Sequence, residues 1–289
     1  MRTAIIVDST AYLSGKAAQH PDVYRVNLTV NYSDSSIGLD AQDLNEQKEF
    51  YHRLQSEKSL PTTSQPTPGD YYKVMDEIVA KGYDTVFSIH LSSAISGTFH
   101  TAQMVTSEYA DRLNVFCIDS KAASVVMESL VEQVFCLLEA GLSAEQVQEK
   151  LQWVAVNTRI YLMVEDLNNL VKGGRLNAAG ALVGSLLKIR PVLYFDCDGK
   201  IEVFEKIRTN KKVYQRWLEI AKERQGLFPD GLQVSFAHSD ALEEIEKVYD
   251  MFKKDLPDIS YHISGLGPVV GTHTGAGTKG CAIIPIARP

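Results

Sequence analysis

The chain has 289 residues, of which 45% are hydrophobic, and a formal net charge of -7, a composition typical of a globular protein long enough for two domains. The acidic balance argues against general nucleic-acid binding, and no apolar run approaches the ~20 residues that a membrane-spanning helix needs. The four cysteines are scattered, without a CxxC pair, which predicts reduced thiols in a cytoplasmic protein. We expect no metal site and no cofactor.

Predicted strands and helices alternate through the first half of the chain. The predicted strands are Ala4–Val7, Val23–Tyr32, Asp84–His90 and Asn114–Ile118. The predicted helices are Leu44–Glu57, Gly69–Lys81, Thr98–Ala110, Ala122–Ala140 and Ser143–Asn157. This alternation implies a parallel sheet with helices on both faces, and we predict a first α/β domain over residues 1–157.

Polar clusters follow three of these strands. They are Asp8-Ser9-Thr10, Ser92–Thr98 and Asp119-Ser120. Because the carboxyl ends of parallel strands share one edge, where helix N-termini also point, the clusters are expected to converge on an anion site. A further hydroxyl run, Thr62-Thr63-Ser64, lies in a proline-rich stretch that is expected to be a loop. Taken alone, that run also fits a turn whose hydroxyls bond only to nearby backbone.

The second half of the chain predicts a sheet of a different kind. Its predicted strands are Arg159–Val164, Ile189–Phe195, Ile201–Phe204, Leu232–Ala237, Ser260–Ser264 and Gly280–Ala287. Its predicted helices are Leu167–Val171, Ala178–Leu187, Asn210–Arg224 and Ala241–Asp255. The Asp198-Gly199 step marks a hairpin between two adjacent antiparallel strands. We predict a second α/β domain over residues 158–289.

A glycine-rich stretch near the C-terminal end, residues 265–280, contains His273 and Thr274. Its last three glycines have the spacing of a dinucleotide fingerprint, but too few residues follow them for the required βαβ unit. We therefore expect a loop in which the backbone closely approaches another group. His273 is either a ligand-facing imidazole or a core histidine held by a neighbour.

Residues 172–212 carry nine Lys and Arg against four Asp and Glu, a local basic stretch in an acidic protein. It is either a solvated face or a surface for an anion or a phosphorylated partner. Within this stretch, Lys172 and Arg175, which flank two glycines, are the strongest candidates for contact with such an anion or partner. No GxSxG, HExxH or paired-carboxylate motif occurs, and Ala94 stands where a nucleophile elbow at Ser96 would need its first glycine. The pattern favours binding over bond-breaking.

Six short motifs occur in order: Pro61–Pro66, Ile95–Thr98, Val171–Arg175, Ser185–Pro191, Glu205–Thr209 and Gly271–Gly275. Together they strongly resemble the DegV family, the fatty-acid-binding subunits of bacterial fatty-acid kinases, and the resemblance runs from about Thr3 to the end of the chain. It implies an α/β domain with a parallel sheet packed on a second α/β domain with a mostly antiparallel sheet. A long-chain fatty acid would be buried between them, and a separate kinase subunit would phosphorylate it to an acyl phosphate.

The resemblance also implies roles for single residues. Thr63 and Ser96 would bind the fatty-acid carboxylate, supported by His273 and Arg208. The other residues predicted to support this site are Thr62, Ser64, Gly97 and Thr274. Lys172 and Arg175 are predicted to face the kinase partner or a phosphate.

Two departures from the family pattern bear on the fatty-acid tail. Ala94 stands where many relatives have glycine, and Val126 lies in a segment that is glycine-rich in many relatives. The bulkier Val126 is expected to narrow one end of the site and so to affect the acceptable chain length.

Three hypotheses follow from the sequence. The first is a fatty-acid-binding protein that presents the carboxylate to a kinase. The second is a stand-alone hydrolase or transferase that uses Ser96 and His273. The third is a lipid carrier or sensor without a kinase partner.

Overall fold

A computed structural model describes residues 2–176 and 190–289 of the protein. The strands are β1 Thr3–Asp8, β2 Val23–Val26, β3 Thr29–Asn31, β4 Ile37–Leu39, β5 Thr62–Ser64, β6 Thr85–His90, β7 Asn114–Asp119, β8 Arg159–Met163, β9 Arg190–Phe195, β10 Ile201–Ile207, β11 Leu232–His238, β12 Ser260–Gly265 and β13 Lys279–Pro285. The helices are α1 Gly15–Gln19, α2 Leu44–Ser56, α3 Pro68–Ala80, α4 Thr98–Ser107, α5 Val125–Glu139, α6 Ala144–Asn157, α7 Asn168–Lys172, α8 Asn210–Gln225, α9 Leu242–Asp255 and α10 Pro268–Thr274. The predicted helix Ala178–Leu187 and the greater part of the Ser185–Pro191 motif lie outside the described residues.

The first sheet is parallel, with strand order β2-β1-β6-β7. Ala4 to Val7 of β1 are all fully buried, because helices cover both faces of the sheet. One face packs on α5 and α6, and the other on α3 and α4. The predicted parallel α/β arrangement is confirmed.

The second sheet is mixed, with strand order β10-β9-β8-β13-β11-β12. Its neighbouring strands are antiparallel except for β11 and β12, which are parallel. Helices α8 and α9 cover it with Trp217 and Phe252, which pack in one core cluster with Phe236 of β11. The predicted second sheet, mostly antiparallel and accompanied by helices, is confirmed.

A small antiparallel sheet with strand order β4-β3-β5 departs from the predictions. The predicted strand Val23–Tyr32 is wrong as one element, since β2 joins the parallel sheet while β3 joins the small one. No glycine or proline lies between β2 and β3, so the alternation of apolar and polar residues continues from one strand into the next. The proline-rich stretch predicted as a loop contains β5, an edge strand that Pro61 and Pro66 flank without entering.

Helix α10 is a second departure, because residues 265–280 were predicted to be a loop. Pro268 occupies the first turn of α10, where its missing N–H costs nothing. Gly275 ends the helix with φ 79°, a left-handed conformation that favours glycine. His273 therefore lies on a helix, in its last turn.

Helix α5 joins the two large sheets. Its residues from Val125 to Val131 are all buried, as expected of a helix enclosed on several sides. The core cluster that contains the apolar residues of this stretch includes Ile5 and Ile89 of the parallel sheet as well as Ile284 of the mixed sheet. The two sheets therefore share one continuous hydrophobic core.

None of the helices among the described residues is long and apolar enough to cross a membrane.

Leu130 of α5 is fully buried in this shared core. Leu130→Ala should destabilise the protein by about 2–5 kcal/mol, through lost burial and the cavity left behind. Denaturant unfolding followed by circular dichroism and by tryptophan fluorescence, which reports on Trp153 of α6 and on the buried Trp217 of α8, should show one transition moved to lower denaturant. Met104, whose side chain is 52% exposed, gives the control Met104→Ala, which should leave the transition in place. Separate transitions for the two probes would contradict a shared core.

Candidate functional site

The register of the small sheet decides which hydroxyl of Thr62-Thr63-Ser64 points inward. Thr63 lies opposite Val30, which is fully buried, so both side chains are on the inner face. Thr62 and Ser64 lie on the outer face, where both side chains accept hydrogen bonds from the Asn31 amide, at 3.4 and 2.9 Å. Of the three predicted hydroxyls, the structure brings only Thr63 to the cavity described below.

His273 meets Thr63 across 210 residues of sequence, with Nε2 2.8 Å from the Thr63 Oγ1. Burial and, less strongly, the nearby Arg175 lower the pKa of His273 to about 4, so the imidazole is neutral at pH 7. In the Nε2–H tautomer the imidazole donates to Thr63 and leaves the hydroxyl proton free to bind an anion. The other ring nitrogen, Nδ1, is buried against Gly173, where a Cβ would come within 2.5 Å of it. A larger residue at position 173 would displace the imidazole.

Ser96 lies in the turn that connects β6 to α4. Its Oγ is 2.8 Å from the Thr98 Oγ1, and its backbone N–H bonds to the Ser92 carbonyl. Gly97 precedes the first residue of α4 and is exposed, against the Gln65 side chain. Ser96 therefore reaches the cavity, whereas Gly97 faces the outer surface.

A buried pair that the sequence did not reveal fixes the start of this turn. The His90 Nδ1 lies 3.1 Å from the Asp8 Oδ2, and the same carboxylate oxygen accepts from the Leu91 N–H at 2.9 Å. Both side chains are fully buried. The ends of β1 and β6 are thereby held together directly below the segment that carries Ser96.

The two predicted arginines are placed differently from the expectation. Arg175 lines the cavity, where its Nε donates to the Ile95 carbonyl at 3.1 Å. Arg208 is exposed at the end of β10, in a separate surface groove with Lys206 and Lys212. Arg208 therefore lies outside the cavity in this structure, and its support of the head group stays a prediction. The turn after α7 folds back onto the segment before α4, which brings Arg175 near enough to His273 to act on its pKa.

The cavity lies between the two large sheets. It is a narrow cavity with a volume of about 110 Å³. The polar side chains in its wall are Thr63, Ser96, Ser124, Arg175, His273, Thr274 and Thr278. Most of the remaining wall is apolar, contributed by the first turn of α5, by α10 and by the mixed sheet, and includes Leu28, Leu91, Val126, Ile160, Phe195 and Ile201. A narrow apolar space with a polar group at Thr63 and His273 suits an amphipathic ligand.

Two predicted residues near this cavity differ in exposure. Thr274 is buried in the wall, and its hydroxyl donates to the Val270 carbonyl at 3.1 Å. Lys172 is exposed at the end of α7 and does not line the cavity.

Ser124 is a cavity residue that the sequence gave no reason to select. It precedes α5 with φ 58° and ψ -130°, a conformation that costs a residue other than glycine about 1–3 kcal/mol. Its hydroxyl is buried without a hydrogen-bond partner among the described residues.

The geometry does not pair Ser96 with His273. The imidazole Nε2 bonds to Thr63, and the Ser96 hydroxyl bonds to Thr98. A serine nucleophile needs a base within hydrogen-bonding reach, and the structure supplies that contact to Thr63 instead.

Fold and cavity together define a class of protein: an α/β protein of two large sheets with a narrow, largely apolar ligand cavity between them. The chain belongs to the DegV family, because its residues 2–286 match the family model, which is described as "Uncharacterised protein, DegV family". A DegV domain-containing protein of Listeria monocytogenes is 35% identical over 285 residues, covering 96% of this chain and 97% of that protein.

Solved structures of the family match along the whole chain. A fatty-acid-binding DegV family protein from Streptococcus agalactiae has a TM-score of 0.90 and 32% identity, covering 99% of both chains. DegV from Bacillus subtilis, described as a fatty-acid-binding protein, has a TM-score of 0.87 and 34% identity, covering 98% of this chain and 99% of the other.

The depressed pKa of His273 makes stability depend on pH. The imidazole has a pKa of about 4 in the folded protein against an ordinary 6.5, so the unfolded chain binds the proton more tightly. This contribution to stability is present above pH 6.5 and is lost as the pH falls towards 4. Between pH 7 and pH 5, the wild type should therefore lose up to about 2 kcal/mol more stability than His273→Gln. Denaturant titrations of both proteins at the two pH values measure this difference, and an equal loss would contradict a buried neutral imidazole.

Proposed function

We propose that this protein binds one long-chain fatty acid, with the carboxylate at Thr63 and Ser96 and the tail in the cavity between the sheets. The observation that carries the proposal is the Thr63–His273 hydrogen bond at the polar part of an otherwise largely apolar cavity. The fatty-acid-binding relatives of the same fold support it.

The head-group site has the donors that a carboxylate needs. The hydroxyls of Thr63 and Ser96 lie in the cavity wall. Each hydrogen bond from such a donor to a charged group is worth roughly 1.5–3 kcal/mol. In its Nε2–H tautomer the neutral His273 donates to Thr63 and leaves the hydroxyl proton of Thr63 for the carboxylate. The Arg175 guanidinium supplies the nearby positive charge, so the carboxylate does not enter an uncharged interior unpaired.

The narrow cavity suits the tail. A methylene chain removed from water contributes about 0.8 kcal/mol per buried CH₂, and a tight channel maximises its contacts. Val126, in the first turn of α5, is fully buried in the cavity wall. The side chain at this position limits the channel and so contributes to the choice of chain length.

The bound acid is presented to a kinase subunit that forms an acyl phosphate, and the protein acts in the cytoplasm. Lys172 and Arg175 serve the partner or the transferred phosphate. Arg175 is part of the cavity wall and acts on the pKa of the imidazole, whereas Lys172 is exposed on α7. This arrangement supports a phosphate role for Arg175 and a docking role for Lys172. A carrier without a kinase partner would use the same cavity, and only an assay with kinase separates the two.

Thr63 and Thr62 offer a matched pair of variants, because they lie next to each other on opposite faces of β5. Thr63→Val removes the hydroxyl beside His273 at constant shape and should weaken fatty-acid binding about 10- to 100-fold. Thr62→Val removes an outer-face hydroxyl and should leave binding unchanged. Titration with a fluorescent long-chain fatty acid measures both. Equal affinities for the two variants would sink the head-group assignment.

Arg175 gives a test of the presentation step. Arg175→Met keeps an unbranched, flexible stem and removes the guanidinium with its charge, so acyl-phosphate formation with a kinase subunit and ATP should fall more than fatty-acid binding does. Lys172→Met should raise the amount of protein needed for half-maximal rate without changing fatty-acid affinity, as expected of a docking residue.

Wild-type protein that hydrolyses an ester or thioester without kinase, while Ser96→Ala does not, would favour the enzyme hypothesis instead.

A further inference from the structure

A buried carboxylate outside the cavity connects the small sheet to helix α10. Asp40 lies between β4 and α2 and is only 3% exposed. It accepts hydrogen bonds from the Ser9 hydroxyl at 2.9 Å, the Tyr12 hydroxyl at 3.1 Å and the Val269 N–H at 2.9 Å. Ser9 and Tyr12 follow β1, whereas Val269 is in the first turn of α10. Two segments that are distant in sequence thus converge on the side chain of a third.

Side chains from the first half of the chain satisfy the start of α10. The first N–H groups of a helix have no partner within it. In α10, Asp40 accepts from Val269, and the Tyr12 hydroxyl accepts from the Val270 N–H at 3.4 Å. Gly267 immediately before the helix packs so closely that a Cβ there would lie 2.3 Å from the Tyr12 ring. The entry of the chain into α10 is therefore fixed from outside the helix.

The capped residue and the imidazole are one helical turn apart. Val269 and His273 are four residues apart, so they lie on the same side of α10. The helix has only seven residues, about 10 Å at 1.5 Å per residue. In so short a helix, a displacement of the first turn carries His273 with it.

We propose that Asp40 is a positioning residue for His273: by capping α10 it sets the distance between the imidazole and Thr63, and so the preference of the cavity for a carboxylate. This inference rests on the proposed fatty-acid binding at Thr63. It adds a residue that does not touch the ligand, and it makes head-group recognition depend on the docking of α10 against the end of β1.

The charge of Asp40 responds to pH near neutrality. Burial raises the pKa of Asp40 to about 7, although the hydrogen bonds from Val269, Ser9 and Tyr12 lower it. The other titratable groups that act on Asp40 or are acted on by it are Asp8, Tyr12 and Tyr51. Below about pH 7 the carboxylate takes up a proton, which removes the negative charge at the positive end of α10 and withdraws one acceptor. The preference for a charged head group should therefore decrease as the pH falls through 7.

Asp40→Asn tests the proposal, with Glu128→Gln as a matched control. Glu128 is also a buried carboxylate, 2% exposed, and accepts two bonds from Ser14 while lying 2.8 Å from the His262 Nε2. These partners of Glu128, Ser14 and His262, both lie outside α10. For each protein, affinity is measured for a long-chain fatty acid and for the fatty alcohol of equal length, from pH 6 to pH 8. The ring nitrogens of His273 and His262 are followed by NMR of ¹⁵N-histidine-labelled protein.

Asp40→Asn should reduce the preference for acid over alcohol about tenfold at pH 8, remove the wild-type decrease below pH 7, and move the His273 signals but not those of His262. Glu128→Gln should move the His262 signals but not those of His273, and it should keep the wild-type preference for acid over alcohol. Tyr12→Phe, which removes one donor to Asp40, should move the same His273 signals to a lesser extent and serves if Asp40→Asn does not fold.

Two results would overturn the proposal. One is an Asp40→Asn protein with the wild-type preference and unchanged His273 signals. The other is equal weakening of acid and alcohol, which would make Asp40 a residue of general stability. A wild-type protein that binds neither ligand would instead refute the proposed function, and the His273 signals would still decide whether Asp40 positions the imidazole.

Discussion

The burial of α5 between the two large sheets is the constraint on which the other features depend. Every residue of α5 from Val125 to Val131 is buried, and the apolar ones pack in one core cluster with residues of both sheets. The cavity is the part of this shared interior that side chains do not fill. Its wall begins at the first turn of α5, so the packing that joins the two sheets also shapes the channel.

In the proposed function, recognition of the carboxylate depends on keeping His273 neutral. Burial and Arg175 depress the pKa of His273, and a neutral imidazole can orient the Thr63 hydroxyl without pairing with the anion itself. The positive charge comes from Arg175, held by the Ile95 carbonyl beside Ser96. Charge and hydroxyl direction are thus supplied by different residues. Asp40 accepts a hydrogen bond from the start of α10, which carries His273. The Asp8–His90 pair lies at the start of the turn that carries Ile95 and Ser96.

Much of the fold was predictable because periodicity and turn signals are local. The alternation of buried strands with helices gave the parallel sheet, and Asp198-Gly199 gave the β9–β10 hairpin. The small sheet was not predictable in this way, since the break between β2 and β3 carries no glycine or proline. Helix α10 was missed because a seven-residue helix between glycines has no long apolar period.

The site was predictable to the extent that motifs mark it. Thr63, Ser96, Thr274 and His273 were selected from the sequence, and the structure places all four in the cavity wall. The roles of Arg175 and Arg208 depend on how the turns after α7 and β10 fold, which no local pattern states. Asp40 and Ser124 were not selectable at all. Asp40 is important because donors from distant segments converge on it, and Ser124 because of its backbone conformation.

Analysis of the lipid bound to freshly purified protein tests the central claim most directly. Organic extraction followed by mass spectrometry should yield a long-chain fatty acid in an amount equal to that of the protein, because burial of the tail slows its loss. Protein stripped of lipid should regain thermal stability when the acid is added back. Extracts without any acyl species, from a protein whose melting temperature does not respond to added fatty acid, would contradict fatty-acid binding in this cavity.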